Sequence, residues 1–108
     1  MGSIKKAIYL DMKDNVATLI ADAEMGDVIT LCDKKDEVCG TIAAKEPVPF
    51  AHKIALKEIV KNKPVVKGGV NIGLASADIA PGDYVHAHNL LSIEGLRGVA
   101  PKENGGVK

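Results

Sequence analysis

The chain has 108 residues, with 14 basic and 14 acidic side chains cancelling to zero net charge, 46% apolar residues and 3% aromatics. A chain of 11.3 kDa buries roughly 65% of its surface on folding, enough for one modest core and too little for a two-domain enzyme, a TIM barrel or a full dinucleotide-binding fold. The balanced charge and the three aromatics, Tyr9, Phe50 and Tyr84, argue against a nucleic-acid partner, and no apolar run approaches the roughly 18 residues of a membrane span.

Taken in order, Ile4 to Lys13 alternates in polarity, and period two over Ala7 to Met12 predicts a half-buried strand. Asp14 or Asn15 can cap a short helix next, with Val16, Leu19, Ile20 and Ala23 at helical spacing and Gly26 as its stop. Val28 to Cys32 and Val38 to Ala43 predict two strands around the charged turn Asp33 to Glu37. A tight hairpin there sets Cys32 opposite Cys39. Two cysteines without an export signal favour the reduced cytoplasm, so a reduced pair is the better reading than a disulfide, and zinc lacks a second cysteine pair.

Pro47 and Pro49 force an extended approach. Ala55, Leu56 and Ile59 allow one or two helical turns. Val65-Val66 and Ile72 to Ala75 predict short strands about a Gly68-Gly69 turn, and Tyr84 to Leu90 a further strand after Pro81-Gly82-Asp83. The domain is expected over residues 7–95, with 96–108 as a flexible tail. Ala21 to Val28 echoes Ala77 to Val85, each a small turn followed by Gly-Asp and a strand, which suggests a pseudo-duplicated unit.

The chemistry-bearing residues are few. His86-Ala87-His88-Asn89 carries two of the three histidines. On a strand, positions i and i+2 share a face about 6.5–7 Å apart, a spacing at which two imidazoles can ligate one metal or flank one substrate. Surface or hydrogen-bonded histidines are the commoner outcome for that pattern. His52-Lys53, after the proline-rich approach, sets a cation beside an imidazole, which suits a carboxylate; a snorkelling lysine is the plainer reading. The Gly68 to Gly73 run lacks both the dinucleotide and the P-loop spacing and reads as turn glycines.

Three segments taken together carry a resemblance. They are Pro49-Phe50-Ala51-His52-Lys53-Ile54-Ala55-Leu56, then Ile72-Gly73-Leu74-Ala75-Ser76-Ala77-Asp78-Ile79, and Gly82-Asp83-Tyr84-Val85-His86-Ala87-His88-Asn89. Over about residues 8 to 93 the chain resembles the SAF domain that opens altronate and galactarate dehydratases and that also occurs as a free-standing small subunit, as in sulfolactate sulfo-lyase. The resemblance implies a mostly β, β-clip domain of short strands; the pattern above adds one or two short helices. It implies a lyase acting by β-elimination on sugar acids or related 2-hydroxy acids. It also implies a larger subunit bearing most of the active site and a divalent metal, typically iron.

By position the resemblance assigns His86 and His88 to catalysis, His52, Lys53 and Asn89 to substrate, and His52, His86 and His88 to the metal, so the three histidines are expected to converge. No membrane partner is implied; a homo-oligomer stays open. The family usually has Gly where this chain has Ala51, and Lys-Tyr-Gly where it has Lys67-Gly68-Gly69. The rival reading is a non-catalytic SAF-type ligand-binding or accessory module.

Overall fold

The computed structural model describes residues 4–92, so the expected tail lies outside the described residues. Among the described residues, nine short strands make two sheets. The larger has the order β4-β3-β1-β2-β5-β8 and the smaller β6-β7-β9. The first strands are β1 (Lys5–Ile8), β2 (Val16–Leu19), β3 (Val28–Cys32), β4 (Val38–Ala43) and β5 (Lys53–Ala55). They are followed by β6 (Pro64–Lys67), β7 (Val70–Ala75), β8 (Tyr84–Val85) and β9 (Leu90–Ser92). The β1–β3 pair runs parallel and the other pairs antiparallel.

This is the mostly β domain of short strands that the resemblance implied, without a helix among the described residues. The helix expected over Val16 to Ala23 is strand β2. Val16, Ala17 and Leu19 are all fully buried. A strand covered on both faces is apolar at nearly every position, so it shows no period of two and can imitate helical spacing. The turns expected over Ala55 to Ile59 are the end of β5 and an isolated bridge, Ile59 to Ile79. The expected strand Tyr84 to Leu90 is broken: β8 ends at Val85, and residues 86–89 form a turn that leads into β9.

Asp14 and Asn15 cap no helix; they bind the two halves of the chain together. The Asp14 carboxylate accepts from the backbone N–H of Leu10 (2.9 Å), Asp11 (3.2 Å) and, 55 residues away, Gly69 (2.8 Å). Burial pushes this carboxyl up, but the backbone donors of Gly69, Leu10, Gly68 and Asp11 outweigh it and hold Asp14 below the usual carboxylate value. Asn15 accepts from Val66 N–H and donates to the Pro64 carbonyl. Gly68 and Gly69, with φ of 62° and 77°, make the two-residue turn of the β6–β7 hairpin, which needs left-handed residues at both positions.

The internal echo is structural. In one copy the Asp27 carboxylate accepts from Glu24 N–H, Gly26 N–H donates to the Ala44 carbonyl, Ala23 and Val48 exchange backbone bonds, and Asp22 accepts from Phe50 N–H. In the other, Asp83 accepts from Ala80 N–H, Gly82 donates to Ala55, Ile79 and Ile59 exchange bonds, and Asp78 accepts from Lys61 N–H. The Gly-Asp arm comes first in one copy and second in the other, so this is a recurring hydrogen-bonded unit and not a tandem duplication. Each copy has its own core. Ala23, Ala44 and Val48 pack with Leu19, Ile29 and Ile54; Ala55, Ile59 and Ile79 pack with Val16, Val65 and Val85.

The two cysteines are not opposite each other. A bulge at Leu31/Cys32 pairs Cys32 with Val38. Both thiols are free, Cys32 buried and Cys39 exposed. The Cys39 thiol donates to the Glu37 carbonyl at 3.4 Å, and the Tyr9 phenol is pushed up to about 12, first by its interaction with Cys39 and then by burial.

Candidate functional site

The site begins with register. Strands β5 and β8 pair Lys53 with Val85 and Ile54 with Tyr84. Extending that antiparallel register by one residue sets His52 opposite His86. Alternation places His52 and Ile54 on the same face as Tyr84 and His86. The rings follow: His52 and His86 have centroids 4.8 Å apart, and Tyr84 stacks on His86 at 5.4 Å with 11° between planes.

Tyr84 is the centre of the group. Its ring also lies 5.5 Å from His52, edge on, and 5.6 Å from His88. Its hydroxyl is 2.7 Å from His52 Nδ1. Its backbone N–H donates to the Glu46 carboxylate at 3.0 Å, which ties β8 to the strap before Pro47. Sequence reasoning missed Tyr84 as a site residue, although its place two residues before His86 was a usable signal once β8 was recognised.

His86 and His88 are exposed, and His52 is half-buried. The two exposed histidines are held by a turn and not by a strand. The buried Asn89 side chain accepts from His86 N–H at 2.9 Å and donates to the Tyr84 carbonyl at 2.9 Å. Asn89 N–H and Leu90 N–H both donate to the His86 carbonyl. A side chain that satisfies the backbone so completely draws it away from a ladder and into a turn. The position of His52 has a comparable origin. His52 N–H donates to the Pro49 carbonyl across a turn in which Ala51 takes φ 71°. That is a conformation suited to the glycine usual in the resembling family.

The structure therefore brings together His52 and His86 directly, and His88 through Tyr84. It does not bring Lys53 to them. By register Lys53 shares its face with Thr18 and Val85, on the other side of β5. Thr18 lines a groove of about 250 Å³ with Ile8, Leu10, Ile20 and Lys67. Burial lowers the Lys53 ammonium below its usual value, and the charge of Lys67 lowers it further. Strand β5 thus separates a face of imidazoles and a phenol from a face that carries the Lys53 ammonium, with Lys67 in the groove lined by Thr18.

A metal ion needs several converging donors. Among the described residues no group of three or more His, Cys, Asp or Glu side chains could hold one, and His52 Nδ1 already meets the Tyr84 hydroxyl. The three histidines do not form a metal centre by themselves.

With this geometry in hand, known proteins give it a family. The sequence pattern of the altronate/galactarate dehydratase SAF domain matches residues 5–92. Altronate dehydratase of Escherichia coli (strain K12) is 41% identical over 82 residues, covering 76% of this chain and 15% of that protein. Altronate dehydratase of Bacillus subtilis (strain 168) is 35% identical over 86 residues, 80% of this chain and 16% of that protein. The (2R)-sulfolactate sulfo-lyase subunit alpha of Chromohalobacter salexigens is 27% identical over 81 residues, 74% of this chain and 86% of that subunit. The chain thus spans a small part of the altronate dehydratases and most of a sulfo-lyase subunit. With the family's pattern running from β1 through β9 and its two histidine segments meeting across β5 and β8, the chain belongs to the altronate/galactarate dehydratase SAF domain family.

Proposed function

We propose that this chain is the SAF-domain component of a cytoplasmic lyase that performs β-elimination on a sugar acid or related 2-hydroxy acid, completed by a larger subunit. The observation that carries the reading is the cluster His52–Tyr84–His86, with His88 at its edge, built from the two family segments. Relatives named as dehydratases and as a sulfo-lyase subunit support the reaction class, and the two free thiols fit a reducing compartment.

The chemistry follows from what imidazoles do near neutral pH. One imidazole takes the proton α to the carboxylate as the carbon–carbon double bond forms. A second gives a proton to the leaving group on the neighbouring carbon; a hydroxyl departs as water. His86 and His88 are the exposed candidates for direct contact with substrate. Lys53 and Lys67 offer cationic charge to the partner on the opposite face. No step is assigned to a metal, because this chain's donors do not make a centre. An open cluster cannot exclude water, so a larger partner must cover it.

The test is steady-state kinetics of the assembled enzyme with His86→Gln and His88→Gln. A loss of at least about 100-fold in kcat/KM is expected for a proton-transferring group, with little change in melting temperature. Unchanged kinetics in both variants would leave the chain as a non-catalytic accessory module.

A further inference from the structure

We propose that Tyr84 is a positioning residue that fixes the tautomer of His52. The Tyr84 hydroxyl donates to His52 Nδ1, and the neutral imidazole therefore carries its proton on Nε2. The assignment of proton-transfer roles drawn from this rests on the lyase reading above; the tautomer itself does not.

The geometry is the 2.7 Å contact between Tyr84 Oη and His52 Nδ1. Either group could donate across it. A phenolic O–H is the better donor of the two, and an unprotonated imidazole nitrogen accepts better than a phenol oxygen, whose lone pairs are drawn into the ring. The favoured arrangement is O–H to Nδ1. A neutral imidazole has one protonated nitrogen, so Nε2 bears the hydrogen. Fixing one ring nitrogen in this way sets what the other can do.

The contact is also well supported. Tyr84 cannot swing away easily, because its ring is stacked on His86 and lies against His88. Its main chain is held by the Glu46 carboxylate and by Asn89. His52 is tied from the other side: its carbonyl accepts from Leu19 N–H at 2.8 Å and its N–H donates to Pro49. Both partners are fixed at the backbone as well as at the ring, so the side-chain bond joins two positioned groups.

The consequence is a division of labour. A neutral His52 presents an N–H, so it can donate a hydrogen bond to a carboxylate or to developing negative charge and cannot take the α-proton. The base is then left to His86 or His88. Without the hydroxyl, His52 would exchange between tautomers and part of the population would present the wrong nitrogen.

The experiment is nitrogen-15 NMR of the histidine side chains in the chain itself, above the pH at which the imidazoles titrate, with His52→Gln assigning the His52 signals. The expected wild-type result is an unprotonated, pyridine-type Nδ1 and a protonated, pyrrole-type Nε2 for His52. Tyr84→Phe, which keeps the ring contacts and removes only the oxygen, should shift those signals toward a tautomer mixture. In the assembled enzyme the same variant should lose about 10-fold in kcat/KM, less than the 10²–10⁴ of a direct proton-transfer group, with an altered pH profile. A pyridine-type Nε2 in the wild-type chain overturns the proposal, as does an unchanged His52 spectrum in Tyr84→Phe. If Tyr84→Phe fails to fold, the wild-type spectrum still decides. An assembly without lyase activity would overturn the proposed function and leave the tautomer result standing.

Discussion

Gly26 and Gly82 hold the same point in the two copies of the recurring unit. Their φ angles are 89° and 91°, and each N–H donates to the carbonyl of a buried alanine, Ala44 and Ala55 respectively. They differ in surroundings. A Cβ on Gly26 would meet nothing within 4 Å, whereas one on Gly82 would run into the Ala43 carbonyl.

That difference separates backbone strain from packing. Gly26→Ala should cost about 1 kcal/mol, the left-handed penalty less the entropy gained from a stiffer unfolded chain. Gly82→Ala should cost about 3 kcal/mol, because a fixed backbone oxygen must also move. Urea denaturation of both variants checks the pair. Equal losses would mean that the two copies are not distinguished by the Ala43 contact.

What could be read from the sequence and what could not divides along physical lines. Val28 to Cys32, Val38 to Ala43 and the strand around Ile72 were legible because β-branched runs bounded by turn residues have few other uses. The Gly68-Gly69 turn and the Gly-Asp echo were legible because both depend on local backbone chemistry. Strand β2 was not, since burial on both faces erases the alternation that marks a strand. The convergence of His52 with His86 was accessible only through family resemblance; no local pattern announces a pairing 34 residues away. The role of Tyr84 depends on the β5–β8 register, which no local pattern shows, and Lys53, adjacent to His52 in sequence, parts from it because neighbours lie on opposite faces once a strand forms.

Asp14 gives the pH dependence. Its folded value is depressed, so its contribution to stability is fully present above its unfolded value, about pH 4, and is lost as pH falls through the folded value. Asp14→Asn should cost about 2 kcal/mol at pH 7, where a charged acceptor for several backbone donors is lost. The gap from wild type should narrow as the pH drops below 4. Denaturation midpoints measured from pH 7 to pH 2.5 test this, and a gap that stays constant across that range would contradict the assignment.

Ala51 offers a stabilising change. It holds φ 71° at an exposed position. A left-handed residue with a Cβ is strained by about 1–2 kcal/mol, and glycine gives back about 0.4–1 kcal/mol through its freer unfolded chain. Ala51→Gly should therefore stabilise by about 0.5–1 kcal/mol while leaving His52 in place. A thermal melt that falls below wild type would refute it.

Asn89 and His88 are adjacent and should behave in opposite ways. The Asn89 side chain is buried and spends both ends on the backbone, accepting from His86 N–H and donating to the Tyr84 carbonyl. Asn89→Ala leaves a donor and an acceptor without their partner and should cost about 2 kcal/mol. It should also disorder the turn that carries the exposed imidazoles, so activity in the assembled enzyme should fall even though Asn89 need not touch substrate. His88 is exposed, with only a tilted contact to Tyr84 at 5.6 Å; His88→Ala should change stability by less than about 0.5 kcal/mol. Chemical denaturation beside kinetics for the two variants separates support from chemistry. Asn89→Ala should lose both stability and rate, and His88→Ala rate alone. A destabilised His88→Ala with normal activity per folded molecule would reverse the two roles and return His88 to a packing residue.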